Sequence, residues 1–146
     1  MTEAIGGPAA GYVEGATYPQ ILLSIARFLL DKNDDKLCGI ATILMHLACE
    51  VAIERTLSDS FARKGIRSLE ESVAGVLNGY NLANDKVRNL YTSLTHDEIQ
   101  EQPFWEAFIR SAKRRDNIIR KALIVGRTDA EESFKATSDF LSHIGR

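Results

Sequence analysis

The sequence predicts an all-α protein, an up-and-down bundle of five or six helices. Apolar residues recur at the three- and four-residue spacing of helix faces along most of the chain, and no alternating strand pattern of useful length is present. Proline, glycine and capping residues divide the chain into segments of helical length with short connections. A chain of 146 residues is long enough for one domain that buries roughly two thirds of its unfolded surface.

The N-terminal end of the chain is predicted to lie outside this bundle. Glycines and a proline among small residues are typical of a loose arm. We therefore expect a flexible arm over residues 1–16 and a single helical domain over residues 17–146.

The first helix is predicted to start near Pro19, because proline is favoured in the first turn of a helix. Its apolar spacing continues to about Asp31. The Asn33–Asp35 segment then provides a turn and the N-cap of the next helix. The inward stripe of the first helix is predicted to comprise Ile21, Leu22, Ile25, Phe28 and Leu29.

The second helix is predicted to run from about Asp35 to Arg63, where Lys64 and Gly65 stop it. At 1.5 Å per residue it would be about 43 Å long. It is apolar nearly all round between residues 37 and 53. A helix of this kind belongs at the centre of a bundle, with neighbours on most sides.

Two shorter helices are predicted next. Ser68 is followed three residues later by Glu71, a capping-box pattern that predicts a short helix to about Asn78. Residues 79–81 form a turn, and the apolar spacing of residues 82–94 predicts another helix.

The last two helices carry similar signals. Residues 95–98 read as a second capping box, Pro103 opens a long basic helix, and Gly126 closes it. Thr128 with Glu131 is a third box that starts the final helix. Its inward residues are predicted to be Phe134, Thr137, Phe140, Leu141 and Ile144.

Charge is distributed unevenly along a chain whose net charge is −2. Residues 1–60 carry 8 acids and 4 bases, whereas residues 104–127 carry 7 bases and 2 acids. A local excess of this kind in an acidic chain indicates an anion-facing patch rather than a protein that coats DNA.

The cysteines and the apolar stretches indicate a cytoplasmic protein. Cys38 and Cys49 lie eleven residues apart on one predicted helix, about three turns, so they cannot bridge to each other. They are expected to be small apolar residues in a reducing compartment. We expect no membrane span and no signal peptide.

The candidate site lies on the long basic helix, between Lys113 and Lys121. Projection at about 100° per residue puts Asp116 in the middle of the apolar stripe, with Arg115 and Arg120 on its shoulders. A buried carboxylate needs a partner, and Arg120 is four residues away. The alternative to a functional site is an ordinary structural ion pair between Asp116 and Arg120 where the helix leaves the core. The stripe comprises Trp105, Phe108, Ile109, Ala112, Ile119 and Leu123.

The C-terminal third resembles the HEPN superfamily, the higher-eukaryote and prokaryote nucleotide-binding domains. A Phe-Trp pair at 104–105 opens a helix, an Arg-rich polar cluster follows, and Gly126 ends a turn before a last helix starting at residues 128–132. The resemblance covers residues 103–144, and Ala48-Cys49-Glu50 fits the family's second helix more loosely. It implies a helical bundle that pairs as a homodimer, with two copies of the cluster facing one cleft.

The family motif is an Arg, a polar residue and then a His after four to six intervening residues, and active members use the Arg and the His to cut RNA without a metal. Here Arg115 takes the Arg place, Asp116 takes the polar place, and Asn117 begins the spacer. Arg120 stands where the His should be. Guanidinium cannot exchange a proton near neutral pH, so the chain resembles members without nuclease chemistry.

The resemblance therefore implies an inactive module that binds RNA or nucleotide phosphates or regulates a partner protein. We expect it to self-associate through the face carrying Arg115, Asp116 and Arg120, without a cofactor. The alternative is a metal-independent endoribonuclease of a toxin–antitoxin or phage-defence system, using a His from elsewhere. The phosphate-binding set is predicted to comprise Arg110, Lys113, Arg114, Arg115, Arg120 and Lys121.

Three further interpretations stay open. Residues 69–94 could form a helix-turn-helix regulator, although the second helix carries only Lys86 and Arg88 as bases. His46 and Glu50, four residues apart, could bind a metal or form a hydrogen-bonded pair in the core. The basic residues of the long helix, together with Arg127, could simply be a solvated face. His143 is expected near a frayed chain end.

Overall fold

The computed structural model describes residues 17–145, and within them the chain is a bundle of six α-helices with no strand. This confirms the all-α prediction, whereas the predicted arm lies outside the described residues. Two 3₁₀ turns, Arg67–Leu69 and Ile99–Glu101, lie between the second and third and between the fourth and fifth of these helices. The helices are α1 (Tyr18–Leu30), α2 (Asp35–Arg63), α3 (Glu70–Ala74), α4 (Asp85–Thr95), α5 (Trp105–Lys121) and α6 (Arg127–Ile144).

The α2 helix is the centre of the bundle and packs against α1, α4, α5 and α6. Its bounds agree with the prediction. The Asp34 carboxylate accepts a hydrogen bond from the backbone N–H of Lys36 at the start, and Gly65, with φ of +71°, follows the end. By length and composition α2 would suffice to cross a membrane, which corrects the expectation that no such stretch exists. The core helix of a bundle has the same two properties.

The inward face of α1 differs from the predicted stripe. Its buried residues are Pro19, Leu22, Ala26 and Leu30, at three- and four-residue spacing, whereas Ile25 and Phe28 are exposed. Ala26 has no bulk beyond Cβ, so α1 and α2 can pack closely at Ala26 and Ala41. The predicted stripe followed the large side chains and was wrong by about one residue of rotation, which is roughly 100°.

None of the three predicted capping boxes forms. The N-caps of α3 and α6 are Leu69 and Gly126, and neither makes a side-chain capping hydrogen bond. Thr95 is the last residue of α4, and its hydroxyl donates to the carbonyl of Tyr91. Thr128 lies inside the first turn of α6. The Ser/Thr-x-x-Glu pattern is short, and at these places it does not mark the start of a helix.

Three other helix ends also differ from the prediction. The α4 helix starts at Asp85 rather than Leu82, because the Asn84 side chain accepts hydrogen bonds from the N–H groups of Lys86 and Val87. The α3 helix ends at Ala74 instead of Asn78. The stop of α5 is Ala122, with φ of +52°, and Gly126 is instead the N-cap of α6.

The core consists of two apolar clusters along α2. The first cluster surrounds Cys49, Ile53, Phe108 and Phe140, and the rings of Phe108 and Phe140 stack with centroids 4.5 Å apart. The second cluster surrounds Ala26, Cys38, Ala41, Met45 and Ala130. Cys38 and Cys49 are both free thiols in the described structure, as the helical spacing predicted.

Candidate functional site

Arg115 on α5 binds two carboxylates at the predicted site. One NH1 group donates a hydrogen bond to Glu50 on α2 over 2.9 Å. The buried Nε lies 3.1 Å from the Asp116 carboxylate, a distance for an ion pair but without hydrogen-bonding geometry. The Arg115 side chain is only 17 % exposed. Its guanidinium therefore points into the bundle and joins two helices.

The predicted Asp116–Arg120 pair does not form. Asp116 makes its ion pair with Arg115, and its side chain is 47 % exposed instead of lying in a buried stripe. Arg120 is exposed and has no ion-pair partner among residues 17–145. The helical spacing showed only that Arg120 was within reach of Asp116. It could not show that Glu50 would bring Arg115 to the same place.

The predicted apolar stripe of α5 also ends earlier than expected. Phe108 and Ala112 are buried, but Ile119 and Leu123 are 58 % and 50 % exposed. The last apolar contact of α5 is Ile118, which lies over Gly39 of α2 and packs on the second cluster. The end of α5 therefore presents apolar as well as basic side chains to solvent.

Half of the predicted phosphate-binding set, Arg110, Arg114 and Arg115, is paired with acids of the protein. Glu132 on α6 binds Arg110 over 2.9 Å and Arg114 over 3.0 Å. Arg114 also donates to the Ser133 hydroxyl over 2.8 Å and is only 16 % exposed. Hydrogen bonds from Arg110 and Arg114 lower the pKa of Glu132 below its usual value. The Asp129 carboxylate lies 3.7 Å from Arg114, so two acids offset the charges of these two guanidinium groups.

Arg127 is also paired with acids, because it shares Glu131 and Asp31 with Arg27. It lies 3.4 Å from the carboxylate of Glu131, and it donates a hydrogen bond to the carbonyl of Leu30. Arg27 binds the same Glu131 carboxylate over 2.7 Å. The positive excess of residues 104–127 is thus offset by acids of α6 that lie beyond that window.

Three cations of the predicted set are left over. Lys113, Arg120 and Lys121 are exposed, and none has an ion-pair partner in the part of the chain that the structure describes. Lys113 and Arg120 are seven residues apart, two turns along one face of α5, and Lys121 is adjacent. Asn117 lies between Lys113 and Lys121 at four-residue spacing from both, so it shares this face. We call Lys113, Asn117, Arg120 and Lys121 the α5 outer face.

A buried pair, His46 and Ser111, lies beside the site. The sequence singled out His46 but not Ser111. His46 Nε2 and the Ser111 hydroxyl oxygen are 2.6 Å apart, and both residues are buried. Burial, followed by the charges of Arg115 and Arg114, lowers the pKa of His46 to about 3. The expected His46–Glu50 pair does not form, because both side chains bind residues of α5 instead. The described residues hold no group of three potential metal ligands.

His143 is also paired instead of frayed. Its Nε2 lies 2.7 Å from an Asp97 carboxylate oxygen, and the Tyr91 hydroxyl donates to the same oxygen over 2.5 Å. Only 14 % of the His143 side chain is exposed. This contact joins the end of α6 to the segment after α4, and the sequence carried no local signal for it.

The helix-turn-helix interpretation does not match the described geometry. The α3 helix has only 5 residues, and residues 75–84 separate it from α4, whereas the motif joins its helices by a turn of about three or four residues. Of the two bases on α4, Arg88 is paired with Asp85 at 2.6 Å and lies over the ring of Trp105. One free lysine, Lys86, is left on this helix.

A groove elsewhere on the bundle holds none of the predicted site residues. It lies between the start of α1, the second half of α2 and the end of α6, with a volume of about 560 Å³. Pro19, Ala52 and Leu141 form part of its apolar wall, and Arg55 is its charged residue.

No protein-family model, curated protein or solved structure matches this chain. The HEPN resemblance therefore rests on the sequence motif and its placement, and family membership stays a prediction.

Proposed function

We propose that this chain is a non-catalytic, HEPN-like helical module that binds the phosphate backbone of RNA through the α5 outer face. The observation that supports this is the charge left on that face. Lys113, Arg120 and Lys121 are exposed without an acid partner among residues 17–145, whereas Arg110, Arg114 and Arg115 are neutralised by carboxylates. Lysine and arginine contacts to phosphates provide sequence-independent affinity.

The local chemistry supports binding without cleavage. General acid–base catalysis needs a group that exchanges a proton near neutral pH, and Arg120 cannot do so. The nearest imidazole, His46, is buried against Ser111 and is neutral at physiological pH because its pKa is lowered to about 3. The guanidinium of Arg115 is held by Glu50 and Asp116. These residues favour a structural role for the degenerate motif.

The number of free cations predicts weak, salt-dependent binding. Each phosphate contact on a single strand contributes a slope of about −0.7 in a plot of log affinity against log salt concentration. Three contacts therefore give a slope of about −2. Binding of this strength suits a module that contacts a backbone without reading bases.

The test is a titration of labelled single-stranded RNA at several salt concentrations. The triple variant Lys113→Gln, Arg120→Gln and Lys121→Gln should lose most of the slope. A matched control removes three exposed bases elsewhere, with Lys64→Gln, Arg67→Gln and Lys86→Gln, and should keep it. Absence of binding at low salt, or an equal loss in both triples, rejects the proposal.

The endoribonuclease alternative is tested with the same RNA in the presence of a chelator. The inactive module leaves the RNA intact. Cleavage that disappears in Arg115→Ala would replace our proposal with a metal-independent nuclease.

A second candidate function is regulation of a partner protein. Ile119, Leu123 and Ile124 are 58 %, 50 % and 86 % exposed at the end of α5, beside the free cations. Such a patch suits a partner with an apolar surface rimmed by acids. Under this candidate, a protein that co-purifies with the natural chain should be lost in Ile124→Asp. The triple variant of Lys113, Arg120 and Lys121 should retain that protein only at low salt.

A further inference from the structure

The second half of α2 extends beyond the start of α1. Only residues 31–34 connect the two helices, which pack against each other as an antiparallel hairpin. Residues equally distant from this connection lie at the same level, so Tyr18 is level with Leu47. Residues 48–63 of α2 therefore lie past the first residue of α1, and the chain that precedes Tyr18 begins beside them.

The groove of about 560 Å³ lies at this place. Thr17, the first residue that the structure describes, lines the groove together with Ala52 of α2 and Leu141 of α6. Pro19 and Ile144 extend its apolar wall. The chain therefore enters α1 from within the groove, and the residues immediately before Thr17 start there.

Arg55, the charged residue of the groove, has no acid partner in the described part of the chain. The residue is exposed, and no carboxylate of residues 17–145 lies within ion-pair distance of its guanidinium group. Asp59 is four residues further along α2, within reach of a helical ion pair, and still does not bind Arg55. A cation without a partner beside an apolar wall favours an occupant that combines an acid with apolar side chains.

The part of the chain before α1 has this combination of side chains. Among residues 1–16 the charged side chains are those of Glu3 and Glu14, and both are acids. Tyr12 and Val13, two large apolar residues, directly precede Glu14. The segment that leads into the groove is therefore complementary to it in both charge and apolar character.

We propose that residues 12–16 lie in this groove of their own chain, with Glu14 paired to Arg55. Arg55 is eight residues past the level of Tyr18, which is about 12 Å at 1.5 Å per helical residue. Glu14 is four residues before Tyr18, which is about 13 Å at roughly 3.3 Å per residue of extended chain. An extended segment therefore brings the two charges to the same level. Side chains alternate along such a segment, so Tyr12 lies on the same side as Glu14.

The covalent link at Thr17 is why we commit to this segment as the occupant. A tethered segment reaches its site at an effective concentration in the millimolar range, which a free ligand seldom attains. Residues 12–16 then form a strap, and another ligand can enter the groove only after the strap leaves. The proposal changes the expectation of a loose arm for these residues alone. It does not rest on RNA binding, because the groove holds no residue of the α5 outer face.

Cleavage of the natural full chain by chymotrypsin after Tyr12 tests the strap, because a docked segment cannot enter the active site of a protease. The rate is divided by that of a free peptide with the same sequence over residues 8–19, which corrects for the effect of each substitution on the protease. The natural chain should be cleaved more slowly than its peptide. Arg55→Glu and Glu14→Arg should each raise the relative rate up to roughly fivefold, and the double variant should restore it. Arg67→Glu, at an exposed position outside the groove, is the matched control and should have no effect.

A second variant fills the groove without changing the charges. Ser142 is exposed and lines the groove, so Ser142→Trp should displace the strap and raise cleavage after Tyr12 while the helical circular dichroism is retained. Ser93→Trp, exposed on α4, is its control and should leave the rate unchanged.

Four outcomes overturn the proposal. They are a natural chain cleaved as fast as its peptide, a double charge variant cleaved as fast as either single variant, an unchanged rate in Ser142→Trp, and protection that increases with protein concentration. The last outcome would place the segment in the groove of a second copy.

Discussion

Glu50 and Arg115 meet over 2.9 Å between the central helix and the basic helix, with side chains 25 % and 17 % exposed. The pair therefore fixes the rotation of α5 against α2 from inside the bundle. Because of this contact, the motif arginine, Arg115, joins two helices instead of facing solvent. The solvent face of α5 is formed by other residues of the helix.

Arg115→Ala should destabilise the fold. It leaves the Glu50 carboxylate partly buried without its donor, at a cost of about 1–3 kcal/mol in the free energy of unfolding. Denaturant unfolding of the natural chain, Arg115→Ala, Glu50→Gln and the double variant forms a mutant cycle. We expect the double variant to lose less than the two single losses combined, since the two groups share one interaction. Strictly additive losses would contradict the helix-joining role.

Stability should fall with decreasing pH because of His46. The folded pKa of His46 is about 3, below its usual value of 6.5. Between these values the unfolded chain binds a proton that the folded chain does not, so stability decreases as pH is lowered through this window. The contribution is up to about 1.4 kcal/mol per pH unit. Chemical unfolding at several pH values measures it.

The controls for this pH dependence are two glutamine variants. His46→Gln can still bond Ser111 but cannot titrate, so its stability should depend less steeply on pH between about 6 and 4. His96→Gln, at an exposed position, should keep the slope of the natural chain. Equal slopes in all three proteins would show that folding does not lower the pKa of His46.

Gly39→Ala should stabilise the protein. A Cβ at this position would lie 3.6 Å from Ile118, an ordinary van der Waals distance. Alanine also loses less backbone entropy than glycine within a helix, so we expect a gain of about 0.5–1 kcal/mol in the free energy of unfolding. Gly39→Leu has no such space and should destabilise by pushing α5 away. Thermal unfolding of the two variants distinguishes these effects, and stabilisation by leucine would contradict the close approach of α2 and α5.

Ala122→Gly should also stabilise the protein. Ala122 ends α5 with φ of +52°, in the left-handed region. That conformation costs an L-residue with a Cβ roughly 1 kcal/mol, and glycine adopts it freely. Part of this gain is offset by the greater freedom of glycine in the unfolded chain. Denaturant unfolding should therefore show a gain smaller than about 1 kcal/mol, and a loss of stability would indicate that the end of α5 is held differently.

The sequence was sufficient where its signals were local. The bounds of α2 could be predicted because Asp34 and Gly65 mark its ends and the segment between them is apolar nearly all round. The inward face of α1 could not, because it depends on Ala26 packing close to a neighbouring helix. The three capping-box patterns did not mark helix starts either.

In the candidate site, too, local features could be predicted from the sequence and contacts between helices could not. The basic character of α5 was visible in the sequence, but the pairing of Arg110 and Arg114 with Glu132 depends on how α5 and α6 pack. A count of charge within one helix could not include the acids of another. Ser111 was missed because a serine on an apolar face carries no signal until its partner, here His46, is known.

The two cysteines can report whether the two halves of the core open together. Cys49 belongs to the first apolar cluster and Cys38 to the second, and burial raises the pKa of both thiols. A thiol-reactive reagent can modify either one only after its cluster opens, because the thiolate must form and reach solvent. Equal labelling rates at the two positions would mean that both clusters along α2 open together as one cooperative unit. A faster rate at one of them would identify the end of the bundle that yields first.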